Sequence, residues 1–286
     1  MNDSGTVATT GGGIEHQFAA VWGEDGQMVA VGDDEPGSPE TLACGINDAG
    51  VVIGLRVDPE ADDDAYQPLS WQEVDGTWVP TTVGPPGADS IASGINDAGV
   101  IVGLKHTSGG AWWQPAGGVA IEGPASVASV EKVNNNNLAI GYAPHFAASL
   151  TWNLTTGEVH ELPVPQGMPA VSTNVLDLND AGTVVGVAGG RPAIWSPSGD
   201  GRVVGPDGFE GIAAAIDAEG TVLIVRDGGP LDGATYVLTT GNELRLLSRD
   251  VSLDDLNDHG VAVGTRPSPD PDGLVQVVRM RLSIGG

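Results

Sequence analysis

A single cysteine, Cys44, stands among the 286 residues, so no intrachain disulfide forms and no zinc site is built from thiolates. Basic residues are nearly as scarce. Eleven Lys and Arg against thirty-eight Asp and Glu leave a net charge of -27, and a nucleic-acid partner needs a basic face that this chain does not have. No stretch approaches the roughly 18 consecutive apolar residues of a membrane span. The opening Met1-Asn2-Asp3 shows no basic segment and no apolar signal core. A native start at Met1 implies a cytoplasmic protein, and a trimmed leader an extracellular one. Helical periodicity over about ten residues or more is missing. So are the Gly-x-Ser-x-Gly elbow, the His-Glu-x-x-His pair and the phosphate loop. No residue set suggests a nicotinamide, flavin or haem, and no cofactor is expected. Asp62-Asp63-Asp64 and Asp270-Pro271-Asp272-Gly273 offer carboxylates without the spacing of a calcium loop, so no metal is expected either.

What the chain has is a repeated turn. Asn-Asp-x-Gly copies begin at Asn2, Asn47, Asn96, Asn179 and Asn257, with degenerate copies at Asn134 and Asp217, at spacings of 45, 49, 38, 45, 38 and 40 residues. Asn and Asp hydrogen-bond their own backbone, and Gly takes the positive φ of a hairpin corner. An apolar residue precedes most copies, and a short run such as Val51-Val52-Ile53-Gly54 or Val100-Ile101-Val102-Gly103 follows. This is strand, turn, strand: strands a and b of a unit.

A second hairpin follows in each repeat. Strand c ends on Trp22, Trp71, Trp113, Trp152, Trp195 and then Tyr236, with Val277-Val278 in the seventh place. A Gly turn and a short strand d complete the unit. Large rings at one register predict a structural layer between sheets, where truncation costs about 3–5 kcal/mol. Four strands in about 40 residues predict an all-β chain, a seven-bladed β-propeller of four-stranded antiparallel blades, with six blades as the alternative. Residues 1–286 then form one domain in which neighbouring blades supply each other's core. The first copy lacks strand a, so the ring closes by joining the termini or keeps thinner end blades.

The run Gly45-Ile46-Asn47-Asp48-Ala49-Gly50-Val51-Val52-Ile53-Gly54, followed by Ala-x-Trp and a Gly turn, resembles the bacterial HAF-type repeat proteins. The likeness covers nearly the whole chain and is best around Gly94 to Gly118 and Leu178 to Gly201. It implies an extracellular, propeller-like repeat protein with no established chemistry. The His-Ala-Phe triplet itself is absent; Arg191-Pro192-Ala193-Ile194-Trp195 is its nearest equivalent.

Candidate function sits where the repeats differ, in the b–c loops and d–a connections around the mouth of the expected channel. Nine residues past the turn Asn or Asp stand Arg56, Lys105, Arg226 and Arg266, with His16, His106, His145 and Arg191 in the same loops. These cations either receive a carboxylate or phosphate or pair with acids such as Asp58 and Asp227. Two residues before the turns, strand a carries Gly45, Gly94, Lys132, Asp177, Ala215 and Asp255, a register expected to line the channel. Lys132 facing carboxylates is either an acid–base group with a shifted pKa or a structural ion pair.

Two functions remain open. One is a cofactor-independent lyase, isomerase or cyclase acting on a small anionic metabolite, with Lys132, His106, His145 and Asp177 moving protons. Arg56, Lys105, Arg191, Arg226, Arg266, Asp255 and Trp112 would hold its ligand. The other is a secreted or surface module that binds carbohydrate or protein without catalysis, through rings such as Trp112, Trp78 or Tyr66. Both readings expect a monomer with a small-molecule or surface ligand, no nucleic acid and no membrane.

Overall fold

The computed structural model describes residues 1–13, 16–33, 35, 38–58, 65–85, 89–114, 120–169, 171–227, 233–267 and 275–282. They form seven antiparallel sheets, each a meander in chain order. The first holds β1 (Val7–Gly12), β2 (Gln17–Trp22) and β3 (Met28–Ala30). The second holds β4 (Thr41–Ile46), β5 (Val52–Asp58), β6 (Ala65–Val74) and β7 (Thr77–Thr82). In the third are β8 (Ser90–Ile95), β9 (Ile101–Lys105), β10 (Gly109–Trp113) and β11 (Ile121–Glu122); in the fourth, β12 (Ser129–Val133), β13 (Leu138–Tyr142), β14 (Ser149–Asn153) and β15 (Val159–Glu161). The fifth has β16 (Thr173–Leu178), β17 (Val184–Ala188), β18 (Arg191–Trp195) and β19 (Gly201–Val203), and the sixth β20 (Gly211–Ile216), β21 (Val222–Arg226), β22 (Thr235–Leu238) and β23 (Leu244–Ser248). The seventh has β24 (Ser252–Leu256), β25 (Val261–Pro267) and β26 (Val275–Arg281). The first sheet thus lacks strand a and the last lacks strand d.

Among the described residues the only helical piece is a 3-10 turn at Pro144–Phe146, and no helix is long and apolar enough to cross a membrane. The chain divides into two compact units, Met1–Phe146 with Trp152–Val159, and Ala147–Thr151 with His160–Gly286. In each, apolar faces of successive sheets meet. In the first unit, Val21 and Val31 pack with Val52 and Trp71, and Ile53 and Val83 with Ile101 and Trp113. In the second, Val185 and Val204 pack with Val222 and Leu238, and Leu223 with Leu253 and Ala262. In these pairs each sheet buries a face against its neighbour.

The Asn-Asp-x-Gly turns do more than reverse the chain. Each first residue is buried, and its Oδ1 accepts the backbone N–H four residues on, as Asn47 does from Val51 at 2.9 Å. In four of them the Nδ2 then donates to the next turn. Asn2 reaches the Asn47 carbonyl at 3.2 Å, Asn47 that of Asn96 at 3.0 Å, and Asn96 that of Asn134 at 3.0 Å. Asn179 does the same to Asp217 at 3.0 Å. A second rung runs in the same direction, from backbone donor to side-chain acceptor. The carboxylates of Asp48 and Asp97 accept N–H bonds from Asp3 and Asp48 at 2.7 and 2.9 Å, and Asp258 accepts from Ala218 at 2.7 Å. The repeated Asn-Asp is therefore a clasp between sheets. It needs Asn first, as donor and acceptor together, and an acceptor second.

Two registers differ from expectation. Strand a carries a one-residue bulge in six sheets, between 43 and 45, 92 and 94, 130 and 132, 175 and 177, 213 and 215, and 253 and 255. Strand b answers it with glycine: a Cβ on Gly54 or Gly103 would fall 1.9 Å from the carbonyl of Leu42 or Ile91. The bulge re-aims the residues beyond it. A Cβ on Gly94 would meet Glu131 and Lys132 of the following sheet, and Ala215 is core. The register expected to line a channel thus faces the neighbouring sheet at these positions.

The aromatic layer also ends earlier than its spacing suggested. Trp22, Trp71, Trp113 and Trp195 each sit opposite the first residues of strand b, at Val7, Val52, Ile101 and Val184. The matching positions later are Leu238, opposite Val222, and Arg281, opposite Val261. Tyr236 and Val277-Val278 lie out of that register. Trp195 closes against the preceding connection, donating Nε1–H to the Pro163 carbonyl at 2.8 Å.

Candidate functional site

The residue nine past the turn lies at or near the end of strand b, and in four sheets it is a cation: Arg56, Lys105, Arg226 and Arg266. Lys105 at the end of β9 makes an ion pair with Glu122 on β11. The Lys105 and Ser108 hydrogen bonds hold the Glu122 carboxyl below the usual range. Arg266 donates Nε–H to Gln276 across the β25–β26 hairpin at 3.0 Å. Arg191 donates through Nη2 to the carbonyls of Gly205 and Pro206 at 3.2 and 3.1 Å, and its Nη1 lies 3.9 Å from the fully exposed Asp207. Arg226 lies flat on the Phe209 ring, 4.9 Å from its centroid, and Phe209 meets Tyr236 edge-on at 5.2 Å. The Nε groups of Arg191 and Arg226 are buried without a hydrogen-bond partner among the described residues. Both arginines therefore grip the 205–211 connection, one by its carbonyls and one by its aromatic ring. Arg56 at the end of β5 is exposed and borders a cavity of about 450 Å³ with Trp71 and Trp78.

His106 has its Nδ1 2.8 Å from the Asp89 carboxylate, and its ring meets Tyr66 edge-on at 5.8 Å. Asp89 is itself held at φ 38° and accepts the Tyr66 N–H at 3.4 Å. This is an oriented imidazole, the one arrangement of catalytic type among the described residues. His145 is exposed in a left-handed turn, φ 60°, beside Phe146 at φ 55°. Asp177 is buried, and its carboxylate accepts the Ile216 N–H of the next sheet at 2.9 Å. That is a bracing role between sheets. Asp255 accepts the N–H of its own neighbour Leu256 at 2.9 Å. Lys132 shares the Asp177 register on β12 and is half-buried. Trp112 is half-buried on β10, while Trp113 next to it is fully buried, as strand alternation requires.

Cys44 is the bulged residue of β4. Its surface is open to water, yet the protein packed around the strand pushes its thiol up to about 11. It stays protonated at neutral pH and is no nucleophile. No cluster of three metal-ligating side chains occurs among the described residues. Asp62-Asp63-Asp64 and Asp270 to Gly273 lie outside them.

Sequence reasoning missed the connections that seat these side chains. Pro124, Pro165 and Pro206 each open a tight turn whose carbonyl accepts the N–H of Val127, Met168 and Phe209 at 2.9, 3.2 and 3.0 Å. The visible signal was Gly-Pro at Gly123 and Gly205, while Pro165 follows Val164. Where the fourth sheet has Val127 and Ala143, and the fifth Met168 and Ala188, the sixth has Phe209 and Arg226.

No family model matches the chain, and none of the curated proteins matches it. Solved structures do. U3-55K aligns over 98% of this chain and 99% of its own at a TM-score of 0.57 and 12% identity. The β-propeller domain of the Trilobed protease from Pyrococcus furiosus, described as having an open velcro topology, aligns over 84% and 81% at 0.53 and 13%. The extracellular domain of the one-component system BT4673 from B. thetaiotaomicron aligns over 96% of this chain and 38% of that one, at 0.52 and 11%. At these identities the likeness shows the fold, a seven-bladed β-propeller, and nothing of activity.

Proposed function

We propose that this propeller is a binding module without catalysis, recognising a carbohydrate or protein ligand, and that it belongs with the HAF-type repeat proteins its turns resemble. The observation that carries this reading is how the candidate side chains are occupied. Lys105, Arg191, Arg266 and Asp177 each hold a neighbouring strand or loop, and Asp255 holds the backbone of its own strand. A proton-transfer site needs acid and base within reach of one reacting atom. The lyase, isomerase or cyclase reading keeps one specific support, the Asp89–His106 pair.

The test is to screen the whole chain against glycan and peptide arrays and to recover the bound molecule for mass spectrometry. Saturable binding with the ligand's mass and stereochemistry unchanged supports a module. Conversion of the ligand, abolished by His106→Ala, overturns it.

A further inference from the structure

Two cavities run end to end along the seam between the first and second sheets, and they share one side chain, Trp78. The first, about 470 Å³, lies toward the Asn-Asp-x-Gly turns and is bordered by Asp25, Gln27, Gln72 and Glu73. The second, about 450 Å³, lies toward the far end of β5 and is bordered by Asp33 and Arg56. Both fall in the usual range for small-ligand sites, about 300–1,000 Å³. All of these residues belong to the first unit.

Trp78 is fixed in place. The β6–β7 hairpin closes on Asp75 and Gly76, both at positive φ (51° and 78°), the tight two-residue turn that sets strand register. That register puts Trp78 opposite Glu73, with its inner part packed on the core around Trp71 and Val52. No other strand d carries an indole or phenyl ring: β3, β11, β15, β19 and β23 have none. The seam is therefore a place where one repeat departs from the rest.

Four of the lining side chains are unspent. Among the described residues, the side chains of Gln27, Gln72, Glu73 and Arg56 make no hydrogen bond or ion pair with the protein. One end carries carboxylates with the amides of Gln27 and Gln72, and the other the Arg56 guanidinium with the Asp33 carboxylate. At a net charge of -27 the molecule repels polyanions, and Arg56 disfavours a polycation lying along the whole seam. A neutral, polyhydroxylated ring with one apolar face meets every requirement. Its C–H face stacks on the indole, and its hydroxyls pair with the amides and carboxylates.

We propose that the Trp78 seam binds a neutral oligosaccharide, with sugar rings on both sides of the indole. This rests on the binding-module reading above. The experiment is calorimetric titration of the whole chain with cellohexaose, maltohexaose, xylohexaose, laminarihexaose and chitohexaose, with spermine as a cationic probe. At least one hexasaccharide is expected to bind. Trp78→Ala should weaken it more than ten-fold, Trp78→Phe should restore part of the loss, and Gln72→Ala, at the surface, should weaken it several-fold with the melting temperature unchanged. Leu246→Ala, at an exposed residue outside the seam, should leave affinity as it was. Sugar binding indifferent to Trp78 and Gln72 would overturn the seam and leave the module reading standing. Binding of spermine alone, or of none of these probes, would overturn the oligosaccharide assignment. Conversion of a bound sugar would instead sink the module reading itself.

Discussion

Asp217 is the one place where the clasp between sheets loses its donor, and it can be given back. In the links from Asn2, Asn47, Asn96 and Asn179 the Nδ2 donates to the next turn's carbonyl at 3.0–3.2 Å. Asp217 keeps the acceptor half, taking the Thr221 N–H at 2.7 Å, and is buried. An ionised carboxylate has no hydrogen to offer the Asn257 carbonyl. The second rung, Ala218 N–H to Asp258 at 2.7 Å, shows that the two turns are close enough for the first. Asp217→Asn should therefore add one buried hydrogen bond, about 1 kcal/mol net, and remove the cost of a buried carboxylate. For a domain of this size that is a rise of about 2–4 °C in Tm. The mirror experiment is Asn96→Asp. It keeps the bond from Val100 but removes the donor that reaches Asn134 at 3.0 Å and Asn137 at 3.2 Å. A loss of about 1–3 kcal/mol is expected, because a buried acceptor is left unmet. Differential scanning calorimetry at pH 7 reads both. A lowered or unchanged Tm for Asp217→Asn, together with a harmless Asn96→Asp, would refute the idea that these side chains hold sheet to sheet.

Three further outcomes follow from the same coordinates. Trp195→Ala should cost about 3–5 kcal/mol, whereas Trp195→Phe, which forfeits chiefly the bond to Pro163, should cost less than half of that in chemical denaturation. Burial raises the Asp48 and Asp254 carboxyls above the ordinary 3.8. A carboxyl raised in the folded state binds protons more readily folded than unfolded, so these two add stability as pH falls through that window and withdraw it as pH rises. Asp48→Asn and Asp254→Asn should raise Tm at pH 7, and the gain should vanish toward pH 3. Cys44, with its thiol pushed up to about 11, should react with iodoacetamide at pH 7.5 about a hundred-fold more slowly than an ordinary thiol, and at the ordinary rate once the chain is unfolded in urea.

The repeated turn made the seven-sheet plan legible, because its residues act locally: Asn caps, Gly turns, and apolar runs on either side must be strands. What escaped the sequence was non-local. The partner of the Asn2 amide is 45 residues away, and that of Asn47 is 49 away, so the same letters that spelled a hairpin hid a clasp. A single bulged residue in strand a, Cys44 in one sheet and Asp254 in another, has no signature of its own, and just past the same bulge in the fifth sheet the Asp177 carboxylate takes the Ile216 N–H of the next sheet. The Tyr236 register failed for a similar reason: hairpin pairing, not ring spacing, decides which side chain meets strand b, and Leu238 holds that place. The cations were found, but their partners were sought in the wrong strand. Lys105 answers to Glu122 on strand d, 17 residues away.

The most direct test of the account is saturation-transfer NMR on the whole chain with a neutral hexasaccharide that binds it. Magnetisation should reach the protons of one face of the sugar rings, and Trp78→Ala should abolish the transfer. Equal transfer to both faces, or a pattern that survives Trp78→Ala, would contradict it.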